Sequence, residues 1–357
     1  MTVRTPRAGT ASAPVPELPG LHLLLLPTPF SVGSVQVYVF TGEPVTLIDT
    51  GVKTPESRAA LEAGLDGLGL GLEDIERVVV THHHQDHLGQ AQSLRDAGAD
   101  LELWAHEAEA SMIERYSVER DENLEENNRL FREYGVPEDL IDRQMERKLP
   151  QLREAERLCE ATRVDRVVRD GDRIPFKDFE LRVVHAPGHT AGHLLLLEEQ
   201  SGTLLTGDHI MGDAVPYTVT YYLDVPPDPA DPLARRPRFQ GLVEYMRSLR
   251  SLRRQSPSTI LPAHGGVITR PVRAIEDALL FYEVRIQRIE RGLRTLAAMG
   301  EAVTAWELWR ALFPKADPVT EMRTRMLMVI GAVDVLEQSG ACRTSRRDDG
   351  TLVHLHA

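Results

Sequence analysis

The first part of the chain alternates short apolar runs with amphipathic stretches. Residues 35–49 contain VQVYVF and VTLID around a Gly-Glu-Pro segment, which predicts two strands joined by a tight turn. Apolar residues then recur at helical spacing over 55–69, and IERVVVT at 75–81 predicts a short buried strand. Because strands and helices alternate in this way, the pattern indicates an α/β fold in which helices cover a sheet.

From about 107 to 163 the pattern changes to long, charged, amphipathic segments with almost no strand signal. This region holds 16 acidic residues against 10 lysines and arginines. We interpret it as a helical insertion in the sheet domain. Two roles stay open for it, a roof over a substrate pocket or a purely structural cover. Strand patterns resume after 163 and stop at about 270.

Residues 271–357 predict a small C-terminal domain. Three helical stretches precede a hairpin around the Asp-Gly pair at 349–350, and this order of elements resembles a winged helix. Apolar faces on these helices predict a homodimer. The chain is therefore expected to consist of a flexible leader over 1–19, a main domain over 20–270 and this C-terminal domain.

Composition and charge restrict the class of partner. The formal net charge of −13 argues against a general binder of nucleic acids or anionic membranes. The segment 235–294 nevertheless holds 13 arginines and 5 acids, which form either a basic face or ordinary solvated helix surfaces. Cys159 and Cys342 are too far apart in sequence for a cysteine zinc motif. With no signal peptide and no membrane-spanning run, we predict a cytoplasmic protein without membrane contact.

The run HHHQDH at 82–87 is the first candidate for metal chemistry. His82 and His84 follow a strand two residues apart, so they project to the same side, as a chelating pair must. His83 then points the opposite way, while Asp86 and His87 lie further round the turn and could reach a second ion. Taken alone, the run is also compatible with a surface histidine cluster.

Three later motifs add ligand types that zinc accepts. His189 lies in APGHT, Asp208 in LLTGD and His264 in LPAHGG. Each follows a predicted strand and adjoins a glycine-containing loop, where an α/β scaffold commonly displays its functional groups. The four motifs together predict a metal site.

In this order the motifs, with LIDTG at 47–51, resemble the metallo-β-lactamase superfamily over about residues 20–270. The resemblance implies an αββα sandwich with a dinuclear site at one edge, holding two Zn²⁺ with Fe or Mn as alternatives. It also implies that Asp49 orients a ligand histidine. The seven implied metal ligands are His82, His84 and His189 for one ion, Asp86, His87 and His264 for the other, and Asp208 as the bridge.

The implied chemistry is hydrolysis by a metal-bridging hydroxide, without a serine or cysteine nucleophile. Asp86 or Asp208 would pass a proton to the leaving group. His84 stands where flavodiiron-type oxidoreductases of this fold have Glu, which favours hydrolysis over redox chemistry. Asp208 stands where true β-lactamases have Cys or Ser, which argues against antibiotic hydrolysis.

Other residues near these motifs have open roles. His193 follows His189 by four positions and either supports the site or is a hydrogen-bonded core histidine. A loop after Asp208 is a candidate for substrate contact, although aromatic clusters serve packing just as often. The pocket candidates are His209, Met211, Tyr217, Tyr221 and Tyr222.

Within this superfamily the chain resembles the branch with a winged-helix-like C-terminal domain. Its relatives include glyoxalase II-like thioesterases and an endoribonuclease for single-stranded RNA, so the fold does not decide the substrate. The acidic charge and the insertion favour a small ester or thioester, such as an acyl-glutathione or an acyl-carrier thioester. The alternative is a phosphodiesterase or endoribonuclease that contacts single-stranded RNA through 235–294. A third hypothesis is nucleic-acid or partner binding through the C-terminal domain.

Overall fold

The computed structural model describes residues 13–16, 18–299 and 302–357. Their strands are β1 (Ala13–Pro14), β2 (Leu21–Leu26), β3 (Val35–Phe40), β4 (Thr46–Ile48), β5 (Arg77–Val79), β6 (Glu102–His106), β7 (Arg166–Val168), β8 (Arg173–Pro175), β9 (Glu180–His185), β10 (Leu194–Glu198), β11 (Thr203–Gly207), β12 (Thr220–Tyr222), β13 (Arg238–Gln240), β14 (Thr259–Pro262), β15 (Cys342–Arg346) and β16 (Leu352–His356). Their α-helices are α1 (Pro55–Asp66), α2 (Gln85–Leu88), α3 (Ala91–Asp96), α4 (Glu107–Glu114), α5 (Tyr116–Glu133), α6 (Glu138–Ala155), α7 (Gly241–Gln255), α8 (Pro271–Ala297), α9 (Ala305–Leu312) and α10 (Pro318–Gln338).

The chain divides into two compact units. The first comprises Met1–Arg120, Arg153–Pro216 and Leu249–Glu276, and the second comprises Asp121–Leu152, Tyr217–Ser248 and Asp277–Ala357. The second unit therefore groups most of the predicted insertion with the C-terminal segment. This division by contacts differs from the linear boundaries that we predicted, because segments far apart in sequence pack together.

Two sheets form the centre of the first unit. The larger sheet has the order β1-β2-β3-β4-β5-β6-β7, antiparallel from β1 to β4 and parallel from β4 to β7. The smaller sheet has the order β14-β11-β10-β9-β8, in which only β14 and β11 are parallel. The parallel connections require crossovers, which the intervening helices provide.

Period-two alternation along β3 shows how these layers pack. Val37 and Val39 belong to an apolar core that also includes Leu61 of α1. Tyr38 and Phe40 point to the opposite face, into a second core that contains residues of both sheets. Because one sheet buries both of its faces, its strands are almost continuously apolar. The predicted α/β sandwich is confirmed.

Part of the flexible leader that we predicted over 1–19 is ordered in the first unit. β1 pairs with β2 in the larger sheet, and Val15 and Leu18 are buried in the core between the sheets. The prediction is therefore wrong for these residues. Their proline- and alanine-rich composition suggests a loop, but the pairing and the two apolar side chains anchor the segment. Residues 1–12 and Glu17 lie outside the described residues.

The C-terminal part of the second unit has the predicted order of elements, three helices followed by a hairpin. Thr304 and Glu307 form a capping box at the start of α9, and Asp317 caps α10. β15 and β16 pair antiparallel across the Asp-Gly turn. The winged-helix resemblance stays a prediction. Across the described residues, every helix is too short or too polar to cross a membrane.

Candidate metal centre

The seven predicted ligands all lie in the first unit, beyond or between strands of the two sheets. Parallel pairing of β4 with β5 and of β11 with β14 brings the carboxyl ends of these strands to a common edge. The ligands occupy the loop after β5 and the helix α2 (His82, His84, Asp86, His87), the turn between β9 and β10 (His189), and the segments after β11 (Asp208) and β14 (His264).

The side chains form two groups of three or four donors, each with its ligand atoms within 4.8 Å of one another. The first group contains His82, His84, His189 and Asp208. Nδ1 of His84 lies 2.9 Å from Nε2 of His82 and 2.9 Å from Nε2 of His189. Nitrogens bound to one tetrahedral zinc ion at the usual bond length lie about 3.3 Å apart, so a small adjustment of this spacing suits a single ion.

The second group contains Asp86, His87 and His264. Nε2 of His264 lies 3.2 Å from Oδ2 of Asp86 and 3.4 Å from Oδ1 of Asp208. Nε2 of His87 lies 3.3 Å from the same Asp208 oxygen, whereas Oδ2 of Asp208 lies 3.6 Å from Nε2 of His189. Asp208 therefore contacts both groups, as a bridging ligand would.

Several buried donor atoms of these groups have unmet bonding capacity. Nε2 of His87, Nε2 of His264 and Oδ1 of Asp208 have no hydrogen-bond partner among the described residues. Buried polar atoms without partners are costly, and most buried polar atoms in proteins have one. Because imidazole nitrogen and carboxylate oxygen are ligands for divalent metals, the donor set fits such ions.

Asp49, at the end of β4, holds His87 in place. One carboxylate oxygen accepts a hydrogen bond of 2.8 Å from the Thr81 amide, and the other contacts Nδ1 of His87 at 2.7 Å. The imidazole thus turns Nε2 toward the second group. Asp49 has φ of 63°, in the left-handed region that is rare for residues other than glycine. This strain at the site suggests that the geometry of Asp49 is functional.

Two further imidazoles, those of His82 and His264, are oriented by hydrogen bonds at Nδ1. The Thr81 hydroxyl donates to Asp49 at 2.9 Å, so it accepts from Nδ1 of His82 at 3.1 Å. Nδ1 of His264 donates to the Ser34 carbonyl at 3.0 Å. In both residues the lone pair of Nε2 is left for the site.

The two groups differ in electrostatics. Burial lowers the pKa of His82 well below its usual value, and the neighbouring imidazoles lower it further. Burial alone would also lower the pKa of His87, but the carboxylates of Asp208, Asp49 and Asp86 raise it well above the usual value. Burial would raise the pKa of Asp208, yet contact with His87 holds it far below the usual range. The first group is thus rich in neutral imidazoles, whereas the second mixes carboxylates with imidazoles.

His193 supports the site without joining either group. Its Nε2 accepts a hydrogen bond of 3.2 Å from the Asp208 amide, and its ring stacks on His82 at 4.7 Å. Gly207 permits this approach, because a Cβ there would lie 2.9 Å from the His193 ring and 2.8 Å from the Thr81 hydroxyl. Of its two predicted roles, these contacts favour support of Asp208 and His82.

The predicted pocket residues belong to both compact units. His209 is fully buried beside His193, so it contributes no exposed surface, and Met211 is half-buried. Tyr217, Tyr221 and Tyr222 belong to the second unit. There Tyr222 is buried and donates a hydrogen bond to Glu133. A substrate-contacting role for these tyrosines stays a prediction.

Sequence reasoning missed one buried carboxylate, that of Glu109 in α4. It accepts a hydrogen bond of 2.9 Å from the His83 amide and contacts the His83 imidazole. His83 lies outside both groups, but its amide and its imidazole both contact Glu109. An acid in the first turn of a helix that follows a sheet strand was the only available signal, and it is shared by many exposed acids.

Comparisons with known proteins agree with this geometry. The family model for the metallo-beta-lactamase superfamily matches residues 31–264. The chain is 32% identical to "probable metallo-hydrolase YqjP" of Bacillus subtilis, over 88% of this chain and 92% of that protein. A crystal structure of a metallo-beta-lactamase family protein from Thermus thermophilus superposes with a TM-score of 0.71 at 26% identity, over 95% of this chain and 99% of that one.

A shorter match concerns a protein whose name states its substrate. The chain is 30% identical to an atrochrysone carboxyl ACP thioesterase of Paecilomyces divaricatus over 103 residues. This match covers 29% of the chain and 26% of that protein.

Proposed function

Because the chain belongs to the metallo-beta-lactamase superfamily and is a metal-dependent hydrolase, we propose that it hydrolyses a small thioester or ester. Acyl-carrier and acyl-glutathione thioesters are the preferred candidates. The main support is the pair of adjoining donor groups that share Asp208, because two divalent ions suit the hydrolysis of an activated carbonyl. The similarity to a protein named as an ACP thioesterase supports the thioester class.

In this proposal His82, His84 and His189 would hold one ion, Asp86, His87 and His264 would hold the other, and Asp208 would contribute to both sites. Bound there, the ions would lower the pKa of a water molecule and polarise the carbonyl oxygen under attack. Asp49 keeps the donor atom of His87 directed into the site, and Ser34 does the same for His264.

The bond changes in the proposed reaction are those of ordinary hydrolysis. A bond forms between the water oxygen and the acyl carbon, the carbon–sulfur bond breaks, and the sulfur takes up a proton. The products are a carboxylic acid and a thiol. We assign the proton transfer to Asp86 or Asp208, whose side chains are only 10% and 11% exposed beside the imidazoles.

The test is substrate profiling of the full-length protein loaded with Zn²⁺. Thioesters, esters, lactones and single-stranded RNA are compared, with thiol release as the readout for thioesters. We expect release that disappears with a chelator and in Asp86→Ala. Absence of thioester and ester hydrolysis by protein with two bound ions would overturn the proposal.

Cleavage of RNA in that panel, without ester hydrolysis, would favour the endoribonuclease hypothesis instead. The charge distribution gives that hypothesis less support. In the described part of the chain, at least six of the arginines between 235 and 294 pair with carboxylates, which reduces their charge available to phosphates. These are Arg235, Arg236, Arg238, Arg247, Arg253 and Arg294.

A further inference from the structure

Glu109 is a buried carboxylate beside the candidate metal centre that no predicted ligand role explains. It lies in the first turn of α4, directly after β6, and only 1% of the residue is exposed. Buried carboxylates are uncommon unless they are paired or hydrogen-bonded. The hydrogen-bond partners of Glu109 therefore indicate its role.

Those partners belong to two loops that carry different ligands. Oε2 accepts from the amide of His83 at 2.9 Å and contacts the imidazole of the same residue. Oε1 accepts from the amide of Gly192 at 2.7 Å. His83 stands between the ligands His82 and His84, whereas Gly192 lies three residues after the ligand His189. A single carboxylate thus joins the two segments that supply the three imidazoles of the first group.

The contact between Glu109 and the turn after His189 depends on a glycine at residue 192. A Cβ at residue 192 would lie 2.7 Å from Cγ of Glu109 and 2.9 Å from its backbone nitrogen, so the turn approaches α4 only because residue 192 is glycine. Burial raises the pKa of a carboxyl group, but His83 and the hydrogen bonds to Glu109 hold its pKa below the usual value. The group is therefore an ionised acceptor for its amide donors.

Glu107, two residues earlier in the same helix, provides the contrast. It is exposed and pairs with Arg169, away from both ligand loops. Two acids in one helical turn thus have different tasks, and only one of them contacts the ligand loops.

We propose that Glu109 is a positioning residue that holds the loop of His82 and His84 at the separation from His189 that one divalent ion requires. This inference rests on the metal-binding part of the proposed function. Residues that orient ligands in this way commonly change metal affinity by about 10–100-fold when they are replaced.

The test measures Zn²⁺ binding to metal-free, full-length protein in competition with a chromophoric chelator, so it needs no substrate. Glu109→Gln keeps the volume of the side chain but loses its charge and one acceptor. Gly192→Ala disturbs the same contact sterically, because the added Cβ would clash with Glu109. We expect either variant to weaken one of two Zn²⁺ sites by about 10–100-fold and to leave the other site unchanged. Glu107→Gln is the matched control, with both sites as in the wild type.

A second experiment starts from His264→Ala, which removes a ligand of the second group. Adding Glu109→Gln to this variant should still weaken the remaining Zn²⁺ site, and this would assign the effect to the first group. Unchanged binding in Glu109→Gln, or equal loss of both sites, would overturn the inference while leaving the proposed function intact. A wild-type protein that binds no Zn²⁺ would overturn both. Urea unfolding with a chelator shows the conditions under which Glu109→Gln is fully folded, and the Zn²⁺ titration is made under those conditions, which excludes general unfolding as the cause.

Discussion

The candidate metal centre of the first unit and the buried Arg238–Asp334 pair of the second unit differ in how far their buried polar atoms are hydrogen-bonded. In the second unit, Arg238 and Asp334 have side chains that are 8% and 0% exposed and face each other through two contacts. Arg238 also donates to the Tyr134 hydroxyl at 2.7 Å. In the metal centre, by contrast, buried donor atoms of His87, His264 and Asp208 lack hydrogen-bond partners among the described residues.

The difference separates two uses of buried polar groups. A charge whose hydrogen bonds are completed by its neighbours contributes to the stability and geometry of the fold. Metal-binding atoms that converge without completed hydrogen bonds are instead typical of a site that can accept a cation. Burial of charged residues alone would not have distinguished the two regions.

The strongest test of this distinction is Asp208→Ala. We expect hydrolysis to fall by on the order of 10³-fold or more, because the residue contacts both ligand groups. The free energy of unfolding of the metal-free protein should fall less than in Asp334→Ala, because Asp208 has only long contacts of 3.3–3.6 Å with His87, His264 and His189. Steady-state kinetics and urea unfolding with a chelator measure the two effects. A large loss of stability in the metal-free variant would show that this cluster is structural.

The opposite result is expected for Asp334→Ala in the second unit. Removing one partner of a buried ion pair leaves Arg238 uncompensated, which should lower the free energy of unfolding by about 3–5 kcal/mol. Zn²⁺ binding by the folded variant should match the wild type.

Urea unfolding and Zn²⁺ titration check this prediction. Asp139→Ala, which breaks an exposed pair with Arg143, serves as the control and should have no measurable effect. If Asp334→Ala were as stable as that control, the buried pair would have no structural role.

A smaller effect, on the pH dependence of stability, is expected from His354, a buried imidazole outside the metal centre. Nε2 of His354 is buried and has no hydrogen-bond partner in the described chain. Burial, together with the positive charges of Arg238 and Arg235, lowers the pKa of His354 to about 3. The folded state thus binds a proton less readily than the unfolded chain, whose histidine pKa is about 6.5. The stability that depends on neutral His354 is complete above about pH 6.5 and is lost as the pH falls towards 3.

His354→Phe keeps an aromatic ring beside Tyr134 and removes this titration. Between pH 8 and pH 5.5 the wild type should lose about 1.4 kcal/mol more unfolding free energy than the variant. Urea unfolding at the two pH values gives the comparison, with the half-buried His356→Phe on the same strand as the control. An identical pH dependence of wild type and His354→Phe would contradict the assignment.

The sequence predicted well those features that depend on neighbours along the chain. The spacing in HHHQDH places His82 and His84 in the same group, and the strand–glycine motifs around His189, Asp208 and His264 lie next to them. Alternating apolar residues likewise predicted β3, because the direction of successive side chains in a strand follows from backbone geometry.

Features that depend on distant segments were not predictable in this way. Glu107 and Glu109 are similar acids in one helical turn, yet one is exposed and the other is buried. Val15 and Leu18 lie in a segment with the composition of a loop, but the larger sheet and its core incorporate them.

Local spacing thus determines which side chains leave the backbone in the same direction, and this was sufficient to predict the α/β class and the ligand types of the metal centre. Only the tertiary structure decided which carboxylates turn inward and which buried atoms find partners. The physical reason is that burial and hydrogen bonding depend on the surface packed opposite a residue. That surface comes from segments far away in sequence, as when Gly192 admits Glu109.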